Sequence, residues 1–146
     1  PLFISPGIIG SFANPSERPT VGLELSVVHW FPSPHGLTFG PYLQGEYVAG
    51  GEGRGSIGLE TSFYLVGLEA GYAYATALEG SPHISSLQLT PFLSTGTWYL
   101  GARILVPFDG KVPPVVSLVV GLKLPISVAG DAGLGDLVER ILFHRG

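Results

Sequence analysis

The sequence predicts an all-β fold: an antiparallel up-and-down β-barrel of about eight strands, followed by a short C-terminal amphipathic helix. Three observations predict it. The first is a recurring figure of glycine, an apolar residue and a charge: Gly22-Leu23-Glu24, Gly58-Leu59-Glu60, Gly67-Leu68-Glu69, Gly101-Ala102-Arg103 and Gly121-Leu122-Lys123, with Gly45-Glu46 a shortened relative. A strand sends successive side chains to opposite faces, so glycine and the charge share one face and the apolar residue takes the other. The second is phase. Of 7 basic and 11 acidic residues, those within predicted strands are Glu24, Glu46, Glu60, Glu69, Arg103 and Lys123, and all fall on the glycine face. The third is composition. Only 12% of residues are charged while 45% are hydrophobic, against about 25% charged in ordinary soluble domains. The 22 glycines and 13 prolines suit a chain of strands and turns and are poor in helix interiors.

In chain order, Leu2 to Phe12 is a weak first strand, because Pro6 suits an edge, a bulge or a strand end. A turn over 14–19 leads to Thr20–Phe31, where Val21, Leu23, Leu25 and Val27 alternate with Gly22, Glu24 and Ser26. After the turn 32–36, Thr38–Ala49 sends Phe39, Leu43 and Tyr47 outward and Gly40, Tyr42, Gln44 and Glu46 inward. Gly50 to Gly55 reads as a flexible loop. Ser56–Ser62 and Leu65–Thr76 follow. Glu60 and Glu69 are an odd number of residues apart, so a tight turn or bulge near Phe63-Tyr64 is needed to put both on one side. The remaining strands are Ser86–Ser94, Thr97–Phe108 and Val115–Ile126.

The period then changes. Leu134, Leu137, Val138, Ile141 and Leu142 follow helical spacing, and Asp136 to Glu139 has the form of a capping box. The reading is therefore a barrel over 1–128 and a tail with a short helix over 129–146. That helix is too short to stand alone, so its apolar stripe is expected to contact the membrane interface or another membrane or periplasmic protein.

Eight alternating strands joined by short connections resemble the small outer-membrane β-barrels of the OmpA transmembrane-domain and OmpX type, over roughly residues 2–128. The resemblance implies an integral outer-membrane protein of a Gram-negative bacterium. It also implies a lumen filled by polar and charged side chains and an aromatic girdle at each membrane interface. Girdle candidates are Trp30, Phe31, Phe39, Tyr72, Tyr74, Trp98 and Phe108, with Trp30 out of phase with its outward neighbours. Leu23, Leu59, Leu68, Leu100 and Leu122 are expected to face lipid. The family's last strand often ends at a C-terminal aromatic residue; here a helix-like tail follows instead.

Several functional classes have no support. A net charge of −4 leaves no basic footprint for nucleic acid. With no cysteine there is no disulfide framework and no cysteine nucleophile or ligand. The four histidines are scattered without metal-ligand spacing, so no metal and no cofactor is expected. Residues 1–12 lack a basic start and a cleavage site, so an exported protein would appear here as its mature chain. His83-Ile84-Ser85 superficially resembles the His-x-Ser of outer-membrane lipid A deacylases. That chemistry needs a carboxylate to orient the histidine, and none follows in a suitable phase. The expectation is a non-enzymatic structural or assembly component of the outer membrane, with Glu24, Glu46, Glu60, Glu69, Arg103 and Lys123 forming a luminal ion-pair network. Arg103 is expected to bridge Glu60 or Glu69. A lipid-modifying enzyme and a soluble lipocalin-like small-ligand barrel are the alternatives.

Overall fold

In the computed structural model the described residues are 1–13, 18–31, 36–76 and 83–128. They form β1 (Leu2–Ala13), β2 (Thr20–Trp30), β3 (Leu37–Val48), β4 (Glu52–Phe63), β5 (Val66–Thr76), β6 (Ile84–Ser94), β7 (Trp98–Pro107), β8 (Val115–Lys123) and the two-residue β9 (Ile126–Ser127). From β1 to β8 each strand pairs antiparallel with the next, β8 pairs back with β1, and β9 also pairs with β1. The sheet therefore closes into an eight-stranded up-and-down barrel with no free edge. The predicted C-terminal helix and its stripe from Leu134 to Leu142 lie outside the described residues.

Three boundaries differ from the sequence expectation. β4 begins at Glu52 and not Ser56, which leaves only Ala49 to Gly51 as connection. Glycines 53 and 55 weaken the strand signal, but Glu46 lies opposite Arg54 in the β3–β4 register, and their side chains form an ion pair at 3.0 Å. That cross-strand pair outweighs local propensity. The β4–β5 turn is Tyr64-Leu65, with Tyr64 in the left-handed region at φ 53°. A non-glycine residue there costs about 1–2 kcal/mol. The Leu65 carbonyl accepts from the Ser94 amide at 2.7 Å, and the rings of Phe63 and Tyr64 meet edge-on at 5.0 Å. The turn places Glu60 directly opposite Glu69. Finally, Val115–Ile126 is two pieces, because Pro125 interrupts β8 before β9 returns to pair with Phe3 and Ile4.

Prolines inside strands fall where the ladders tolerate them. Pro6 is central in β1, but its carbonyl accepts from Leu124, just beyond the last regular β8 pair, Gly7 with Lys123. The N–H it lacks therefore points at the break between β8 and β9. Pro41 and Pro91 each coincide with a gap: the β2–β3 ladder passes from Ser26–Tyr42 to His29–Phe39, and β6–β7 from Leu89–Ile104 to Phe92–Gly101.

Glycines of the recurring figure make room inside a narrow barrel. Gly67 is opposite Phe92 and Gly121 opposite Tyr99, and a Cβ on either glycine would collide with the facing ring. Gly58 faces Gly71, and there the two backbones approach so closely that a Cβ on either would strike the other strand. The luminal face is consequently solid. Ile9, Phe92, Tyr99 and Val119 form a small apolar cluster, and the remaining buried side chains are largely polar.

Candidate functional site: the charged lumen

Even-numbered positions of β2, β3 and β4 and odd-numbered positions of β5, β7 and β8 point inward, as the burial alternation along each strand shows. This brings Glu24, Glu46, Glu60, Glu69, Arg103 and Lys123 into one interior, all buried. Arg54 joins them. It lies within the stretch 50–55 that the sequence reads as a loop, yet it shares parity with Ser56, Gly58 and Glu60; extending the alternation back through the glycines places it in β4.

The charges divide into two clusters. In the first, Lys123 Nζ pairs with Glu24, with Glu60 at 2.8 Å and with Glu69 at 3.6 Å. Glu60 and Glu69 are direct cross-strand neighbours, a placement that like charges disfavour. The ammonium of β8 compensates both from across the barrel. It also lies 5.1 Å from the Tyr99 ring centroid and 5.7 Å from that of Phe92, within range of cation–π attraction. Glu24, Glu60 and Glu69 each offer an oxygen within 4.8 Å of the others, a spacing that would suit a metal ion. Lys123 contacts all three, so the protein supplies its own cation.

In the second cluster, Glu46 accepts from Arg103 Nη1 at 2.8 Å on both oxygens, from Arg54 Nε at 3.0 Å and from the Thr20 hydroxyl at 2.8 Å. Arg103 thus reaches Glu46 and not Glu60 or Glu69. The reason is geometric: Lys123 already occupies that pair, and Arg103 sits further along the barrel axis.

Gln44 joins the clusters. Its Nε2 donates to Glu24 at 2.9 Å and Glu69 at 3.2 Å. Its Oε1 accepts from Ser56 and Gln88, each at 3.0 Å, and from Arg103 Nη2 at 3.3 Å. Donors on the carboxylate side and an acceptor on the arginine side fix the amide orientation. Four carboxylates face three cations, and within this interior each carboxylate has at least one cationic partner. Glu69, Gln88, Thr90 and Arg103 are fully shielded at 0% exposure, so the centre of the barrel is plugged by side chains.

A cavity remains at each mouth. The mouth carrying the first residue holds one of about 440 Å³, walled by Phe3, Val28, Trp30 and Phe92 with Glu60 and Lys123 beneath. Trp30 therefore lines this mouth, which explains its phase. The opposite mouth holds one of about 310 Å³, described below.

On the outside, Leu23, Leu59, Leu68, Leu100 and Leu122 are all exposed. Exposed aromatic residues gather in two bands near the strand ends: Phe31, Phe39, Phe63, Tyr64 and Trp98 at the first mouth, and Phe12, Tyr47, Tyr72, Tyr74 and Phe108 at the second. Tyr72 stacks on Phe108 at 6.2 Å and Tyr74 on His83 at 5.5 Å. The Ser85 hydroxyl is engaged by Tyr72 Oη at 2.7 Å. His83 and Ser85 therefore belong to the aromatic band, each held by a tyrosine.

Compared with known proteins, the chain matches no family model, no curated protein and no solved structure.

Proposed function

We propose that this barrel is embedded in a lipid bilayer as an integral, non-enzymatic component of a bacterial outer membrane, with a structural or assembly role and a plugged lumen. The observation that carries this reading is the outer face. No Asp, Glu, Lys or Arg of the described strands lies on it; all eight strand charges sit on the luminal parity. Leucine, isoleucine and valine fill the middle of the outer face, between the two aromatic bands. Water-soluble monomers rarely expose apolar patches beyond a few hundred Å², whereas a lipid-facing barrel wall has this arrangement of an apolar belt between aromatic girdles. The strands of β1 to β8 contain 9 to 12 residues, and a tilted strand needs about 9–11 to cross the hydrocarbon.

Leu59, near the middle of β4 and 51% exposed, provides the test. Leu59→Arg is expected to cost about 2–4 kcal/mol when folding is titrated with urea in lipid vesicles. Pro114→Arg, in the β7–β8 connection, is expected to change little. Equal effects of the two substitutions would contradict a lipid-facing outer wall.

A further inference from the structure

We propose that the second mouth of the barrel is a binding site for a small organic carboxylate: an anionic head on a short apolar chain. The site is the cavity of about 310 Å³ at that end. Its polar side carries two guanidinium groups, Arg18 and Arg54. Arg54 is only 8% exposed in its side chain, and it is partly used: Nε binds Glu46, while the buried Nη2 has no hydrogen-bond partner. A buried donor of this kind is uncommon in native structures and calls for a partner. Arg18 approaches from the rim, where its Nη1 donates to the Ala49 carbonyl at 3.4 Å. It packs against Gly50, where a Cβ would collide with the guanidinium. The bare turn thus lets Arg18 lean over the opening.

Charge and surface select the ligand. Glu46 is shared between Arg103 and Arg54, so it offsets only part of the positive charge at this mouth. Among the described residues, Glu52 is the one carboxylate lining the cavity, against two arginines, which leaves a single positive charge in excess there. Arginine keeps its charge at all accessible pH values and presents a planar fork matched to a carboxylate. The remaining wall sets the hydroxyls of Thr20 and Ser86 among aliphatic groups, including Ala73, Leu105 and Val115. Aliphatic lining combined with placed polar groups is the usual make-up of a small-molecule site. One excess positive charge with aliphatic walls favours a monoanion bearing a short chain over a compact, doubly charged phosphate. The inference does not depend on what surrounds the outer face of the barrel.

The test is a titration of the folded chain with hexanoate, followed by NMR at the Arg54 Nε–H and at the Ala73 and Val115 methyl groups. Hexanol and inorganic phosphate serve as comparison probes. Saturable shifts at all three positions are expected with hexanoate, weaker binding with phosphate, and no response at Arg54 with hexanol. Arg18→Gln leaves the interior untouched, and Arg54→Lys retains a charge beside Glu46 while removing the guanidinium fork. Each is expected to weaken hexanoate binding about tenfold, the scale of one charged hydrogen bond. Shifts that do not saturate, or that are unchanged in Arg18→Gln, would overturn the site and leave a water-filled mouth. Phosphate binding as tightly as hexanoate would overturn the assignment of an apolar chain.

Discussion

Lys123→Met is expected to destabilise the barrel more than any other single substitution in the lumen. The wild-type ammonium touches Glu24, Glu60 and Glu69, and two of these lie directly opposite each other on β4 and β5. Methionine preserves much of the volume but leaves three buried carboxylates with no cation of their own. Breaking a buried pair typically costs about 3–5 kcal/mol, because the remaining charge is uncompensated. Total stabilities are only about 5–15 kcal/mol, so a large fall in the urea midpoint is expected in vesicles. Adding Glu69→Gln to Lys123→Met should recover part of the loss, since it removes one charge from the opposed pair. A Lys123→Met barrel as stable as wild type would show that the cluster is not held by this ammonium.

Arg103→Ala is expected to act differently. Glu46 retains Arg54 at 3.0 Å, so its charge is not abandoned, and the loss should lie near the lower end, about 3 kcal/mol. The larger consequence is steric. Arg103 is fully buried and is among the largest side chains in the plug, between Gln44 and Glu46. Removing its guanidinium opens a gap in an interior that eight strands can only just fill. Wild type is therefore expected to show little steady conductance in a planar bilayer, while Arg103→Ala shows discrete ion-conducting events. A large, steady wild-type conductance would contradict the plugged lumen.

Much of this architecture is legible in the residues themselves, because a closed barrel with unlike faces writes a period of two into every strand. Leu23, Leu59, Leu68, Leu100 and Leu122 take the outer face and their glycine and charged neighbours the inner one for that reason alone. What parity does not encode is height along the barrel axis. It places Arg103 in the lumen but does not say that Glu46, and not Glu60 or Glu69, lies at its level; that depends on the stagger between strands. Arg54 was obscured because glycines 51, 53 and 55 carry no side chain to sustain an alternating pattern. The β1 strand was obscured by Pro6, whose missing donor does no harm only because β8 ends beside it. Trp30 shows the converse case. Its inward parity is a true signal, and it reports a mouth-lining residue where residue type alone suggests a girdle.

The chain contains no cysteine, so single cysteines can carry an environment-sensitive fluorophore without background labelling. One label at position 59, in the middle of the outer wall, and one at position 111, in the β7–β8 connection, compare the two environments on the same protein. In vesicles containing brominated lipid, the position-59 label should be quenched by the lipid and protected from aqueous iodide. The position-111 label should show the reverse. Iodide quenching at both positions, with no effect of brominated lipid at position 59, would contradict a membrane-spanning barrel.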